Sequence, residues 1–112
     1  MYYELSKRDK KVAKRCIDKG VDAEFKEGLE NFQAILQQWR EGKFASNKEA
    51  YHQLFKAVDK KDNAIGRRYD GLTGSRWLIT VIQILQDGFI SEEDIKDFSD
   101  ETKAVIDSFI NL

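Results

Sequence analysis

Phe25, Leu29, Phe32, Leu36 and Trp39 follow one another at spacings of 4, 3, 4 and 3. That rhythm matches the turn of an α-helix and conflicts with the two-residue alternation of a strand. It predicts a helix capped by Asp22 and ended by Gly42. Five large apolar side chains on one stripe call for burial, which at about 1.5 to 3 kcal/mol each stabilises a fold by roughly 10 kcal/mol before conformational entropy is set against it. The chain contains no proline, so nothing in it forbids helices elsewhere.

The remaining start and stop signals extend this pattern along the chain. Ser6 and Asp9 cap a first helix to about Lys19, with Gly20 ending it and Leu5, Val12, Cys16 and Ile17 on its apolar side. Ser46 and Glu49 form a capping box for a third helix. Its stripe is Ala50, Tyr51, Leu54, Phe55 and Val58, and Ile65 and Tyr69 stay in phase if it runs on past Asn63 and Gly66.

In the segment Trp77 to Leu85, β-branched residues suggest a strand, but Arg76, Thr80, Gln83 and Asp87 then fall on both faces, whereas on a helix they make one narrow polar stripe. Gly88 closes that helix, Ser91 caps a short one reaching about Asp97, and Ser99 caps a last one that buries Val105, Ile106, Phe109 and Ile110. The expected fold is all-α, a single-domain bundle of five to six helices over residues 1–112 with no sheet.

Composition bounds the function. The 112 residues suit one domain. A single cysteine, Cys16, leaves no internal disulfide and no cysteine cluster for zinc or iron. No secretory signal opens the sequence, and its longest apolar run is well below the roughly 20 residues of a membrane span. A cytoplasmic protein with no membrane contact is expected.

The net charge of −1 hides a gradient: residues 1–20 hold seven Lys and Arg against three acids, and residues 87–112 hold two against eight. Such ends attract one another, within a molecule or between copies.

Motifs for chemistry are few. Gly66 and Gly71 stand at the spacing of a phosphate-binding loop, but Leu72 occupies the lysine position and no strand precedes the glycines. One alternative function is binding of an anion or phosphate ligand at this turn, residues 66–76, with Arg67, Arg68 and Arg76 around the helix start at Thr73 and Ser75, and Asp70 beside them in a concave pocket. The plainer reading is a glycine turn in which Thr73 or Ser75 caps the following helix.

Asp59, Asn63 and Asp70 imitate a calcium loop, yet Lys61 and Ala64 occupy positions that need a ligand and a glycine. His52 is the only histidine, and no metal site is expected. Cys16 reads as an inert buried thiol, and Glu24, Glu27, Glu30, Glu92, Glu93 and Asp94 as solvated helix faces.

Two further functional classes follow. The first is a non-catalytic bundle that binds a protein partner or its own copy as a homodimer, through aromatic residues such a small chain cannot all hide: Trp39, Tyr51, Phe55, Tyr69, Trp77 and Phe89. The alternative is nucleic-acid binding by the basic first helix, through Lys7, Arg8, Lys10, Lys11, Lys14 and Arg15, extended by the arginine turn. No cofactor is implied by either.

Overall fold

A computed structural model describes residues 3–111, and every regular element among them is helical. Four α-helices, α1 (Lys7–Arg40), α2 (Asn47–Tyr69), α3 (Trp77–Gln86) and α4 (Asp100–Ile110), are joined by loops that include two 3₁₀ turns, Gly74–Arg76 and Glu92–Ile95. The all-α expectation holds, with fewer helices than the five to six predicted.

The difference lies chiefly in α1. Gly20 does not end a helix and Asp22 does not start one; a single helix of 34 residues runs through both. A glycine inside a helix costs about 1 kcal/mol relative to alanine, and here the buried line continues through it, with Asp9, Ala13, Cys16, Gly20, Glu24 and Gly28 all buried at steps of three and four. Continuity of that line outweighs the local stop signal. The third predicted helix does run on to Tyr69, as α2. The segment after Ser91 is a 3₁₀ turn, which Ser91 and Asp94 close with a reciprocal capping box.

The chain divides into two compact units, one formed by the chain up to Ala23 together with the chain from Gly71 onward, the other by Glu24–Asp70. In the first unit, Leu5, Val12, Cys16 and Ile17 are buried as predicted, in a core with Leu78, Val81, Ile82, Ile84, Phe98 and Ile106. Thr80 is buried too, so the polar stripe foreseen on α3 is interrupted at that point, while Gln83 and Asp87 reach water. In α4, Ile106 is fully buried and Ile110 is exposed, contrary to expectation. Its fourth inward position is filled by Thr102, whose hydroxyl is needed elsewhere.

Asp9 organises this unit. It is only 1% exposed. Its carboxylate accepts from the Ser99 backbone N–H at 3.0 Å, from Ser99 Oγ at 2.6 Å and from Thr102 Oγ1 at 2.6 Å. Ser99 itself caps α4, accepting from the Thr102 N–H at 3.3 Å. Asp9 therefore brings a negative charge to the amino end of α4, where free N–H groups and the helix dipole favour it. Burial pushes its carboxyl up, but the hydrogen bonds from Ser99 and Thr102 and the charge of Arg8 outweigh that and hold it below the ordinary 3.8.

The second unit is a helical hairpin made by the remainder of α1 and by α2. Gly42, at φ +72°, ends α1: its own N–H bonds to the Trp39 carbonyl and that of Lys43 to the Gln38 carbonyl. Trp39 Nε1 spans the turn to Asn47 Oδ1 at 2.8 Å. Ser46 Oγ caps α2 by accepting from the Glu49 N–H, while Glu49 reaches the Ala45 N–H rather than that of Ser46 as a closed capping box requires. Gly28 lets the two arms approach, since a Cβ there lies 3.0 Å from Lys61 Cγ.

Candidate functional site

The hairpin buries little of its own apolar surface. Ala50 and Ile65 are buried, and Phe32, Ile35 and Leu54 are partly covered between the arms. The predicted stripe of α1 is otherwise open: Phe25, Leu29, Leu36 and Trp39 are exposed, Leu29 to 67%. On α2, Tyr51 at 70%, Phe55 at 62% and Val58 are exposed as well. The expectation that the α1 stripe lies buried is thus overturned within the single chain. The covered line of α1 runs through Glu24, Gly28, Phe32 and Ile35, and the stripe, centred about a quarter-circle round the helix from it, is left uncovered.

These side chains share one face. Leu36, Trp39, Tyr51 and Leu54 line an open groove of about 340 Å³ near the turn. Phe25, Leu29, Phe32 and Val58 line another of about 180 Å³ toward the base, and Tyr51, Leu54, Phe55 and Val58 connect the two along α2. Helical spacing accounts for this: positions 25, 29, 32 and 36 of α1 and 51, 54, 55 and 58 of α2 each turn about a quarter-circle to the same side of the line where the arms meet.

The base of the hairpin is fastened by Glu24. It is 3% exposed, accepts from the Tyr69 hydroxyl at 3.0 Å and forms a short ion pair with Arg68 Nη1. Glu24 is therefore not the solvated residue that its helical neighbours suggested. Burial, followed by the adjoining Glu24 carboxylate, pushes the Tyr69 phenol well above its usual range. Lys61 pairs with Glu27 at 2.7 Å one turn further along.

The other predicted residues fall as follows. Arg67 and Arg68 lie in the last turn of α2, and Arg68 is engaged by Glu24. Thr73 and Ser75 hydrogen-bond each other at 3.1 Å and neither side chain caps the following turn or α3, a correction to the helix-start reading. Arg76 is exposed at the end of that turn. Asp59 and Asn63 are within α2, which leaves no loop for a calcium ion. Among the described residues no group of acidic, histidine and cysteine side chains is arranged to hold a metal.

Of the six aromatics singled out, Trp39, Tyr51 and Phe55 are exposed on the hairpin face. Tyr69 is partly covered through its bond to Glu24, and Trp77 and Phe89 are partly covered in the other unit. Phe25, Leu29, Leu36 and Val58, which sequence reasoning placed in the core, join the exposed set.

The basic side of α1 meets the acidic end of the chain. Arg15 pairs with Asp97 at 2.8 Å, Lys19 with Asp94 at 2.5 Å, and Arg8 donates to the Asp97 carbonyl at 3.2 Å. Lys14 pairs with Asp18 on its own helix, while Lys7, Lys10 and Lys11 are exposed. Cys16 is buried beside this cluster and donates to the Asp94 carbonyl at 3.4 Å. Burial and the charge of Asp94 push its thiol up to about 11, which disfavours the nucleophilic thiolate. His52 is exposed, its ring edge-on to Tyr51. No helix among the described residues is long and apolar enough to cross a membrane. Comparison with protein-family models, with curated proteins and with solved structures found no match for this chain.

Proposed function

We propose that this is a non-catalytic docking protein whose working surface is the apolar face of the hairpin Glu24–Asp70. One observation carries the reading: Phe25, Leu29, Leu36 and Trp39 of α1 and Tyr51, Phe55 and Val58 of α2 are exposed together on one side of two packed helices. A single exposed leucine means nothing, but a contiguous apolar face beyond a few hundred Å² marks an interaction site. Aromatic residues make such a face effective, since they supply large contact area with few rotatable bonds. The first unit supplies a core and a polar fastening, and its one cysteine is held in the unreactive form.

The test is the size of the native protein recovered from its own cells, compared with that of a Leu29→Lys/Phe55→Lys variant. The wild type is expected in an assembly larger than 13.0 kDa, and the variant, equally helical by circular dichroism, as the free chain. A wild type that is recovered as the free chain, or an assembly indifferent to both lysines, contradicts the reading.

A further inference from the structure

Resting on that docking surface, we infer that its occupant is a second copy of this chain, with two hairpins laid face to face, turns at the same end, so that α1 of each packs on α2 of the other.

Area is the first argument. Seven large side chains, between 41% and 70% exposed, at about 150 to 250 Å² for each aromatic and somewhat less for the aliphatics, offer on the order of 800 Å², which is what one partner contributes to a stable interface of ordinary size. Architecture is the second. Two antiparallel helices with apolar positions at alternating steps of three and four on a common face are half of a four-helix bundle, and a two-fold axis supplies the missing half from an identical chain. The face also offers both ridge and groove: Tyr51, Leu29 and Phe55 are its most exposed side chains, and the channel lined by Leu36, Trp39 and Leu54 is open to receive such side chains.

Charge chooses the arrangement. Beyond the apolar positions, the outer edge of α1 carries Lys26 and Arg40, with Glu30 one turn on from Lys26, and the outer edge of α2 carries Asp59 and Lys48, while Asp62, in line with Phe55 and Val58, ends the apolar face at the base. Gly28 lies against Lys61, so Lys26 is level with Asp62 across the hairpin. An axis running along the hairpin preserves that level and sets Lys26 of each copy beside Asp62 of the other, twice, with Asp59 level with Glu30. An axis running across it stacks α1 on α1 and brings Lys26 against Arg40. At the turn end of the lengthwise pair, Arg40, which lies over its own Trp39 ring at 5.7 Å, faces Lys48 in a like-signed contact. The Lys26–Asp62 pairing is made only in the lengthwise arrangement.

The experiment is sedimentation of the purified full chain from about 1 to 100 µM, together with Lys26→Glu and Asp62→Lys variants singly and mixed. A dimer is expected, weakened about five- to tenfold by either reversal alone and restored when the two variants are mixed, because the mixed pair is complementary at both edges. Circular dichroism checks that each variant stays helical. A wild type that is monomeric throughout overturns the inference. If the assembly recovered from cells still depends on Leu29 in that case, the docking reading stands with a different partner. A dimer that Lys26→Glu tightens, or that mixing fails to restore, overturns the lengthwise pairing.

Discussion

The Thr102 hydroxyl donates to the Asp9 carboxylate at 2.6 Å across 93 positions of sequence, and it does so where both residues are fully covered. That bond, with the two from Ser99, ties the start of α1 to the start of α4 through a charge that the end of a helix welcomes.

Replacing Asp9 by Ala leaves the Ser99 N–H and the Thr102 hydroxyl without their acceptor and is expected to cost about 3 kcal/mol in urea unfolding, with Asn intermediate. The folded chain holds this carboxyl below its ordinary value of 3.8. Its contribution is therefore complete above that value and is lost as the pH falls through the lower folded one. The difference in stability between wild type and Asp9→Asn should shrink below about pH 4. A difference that is constant from pH 7 to pH 2 speaks against the fastening.

Glu24 makes a second, separate prediction, at the hairpin base. Tyr69→Phe removes one hydrogen bond to a charged acceptor and should cost about 1.5 to 3 kcal/mol; Glu24→Ala strands Arg68 as well and should cost more, although Arg68 keeps some access to water. Hydrogen exchange gives the local readout, with faster exchange expected over residues 65–70. Unchanged exchange there places the strength of the hairpin elsewhere.

Cys16 should be slow to alkylate. With its thiol pushed up to about 11, roughly a thousandth is ionised at pH 8, against about a quarter for a thiol at its usual value. Iodoacetamide is expected to spare the native chain and to modify the urea-unfolded one at the ordinary rate. Rapid modification of the folded protein contradicts the burial described.

Much of this fold was legible because helical periodicity and caps are local signals. Ser6, Ser46, Ser91 and Ser99 all cap the turns they precede, and Gly42 and Gly88 both take positive φ where helices end. Gly20 was misread because its local chemistry says stop, while the buried line that carries α1 through it depends on what packs against both sides. Glu24 was misread for the same reason: its partly covered partners, Arg68 and Tyr69, lie more than 40 residues on.

The α1 stripe was correctly phased and wrongly assigned to the interior. Spacing shows which side chains share a face, and says nothing of whether the same chain has a surface left to cover it. Trp39, Tyr51 and Phe55 were legible as candidates from the number of aromatics alone; Leu29, the most exposed residue of the α1 stripe, was not.

The most direct measurement is hydroxyl-radical footprinting of the full chain in its associated state. Tyr51 and Phe55, 70% and 62% exposed in one chain, should be shielded at concentrations where sedimentation shows association and regain reactivity on dilution. Rates matching those of freely exposed rings under associating conditions contradict the account.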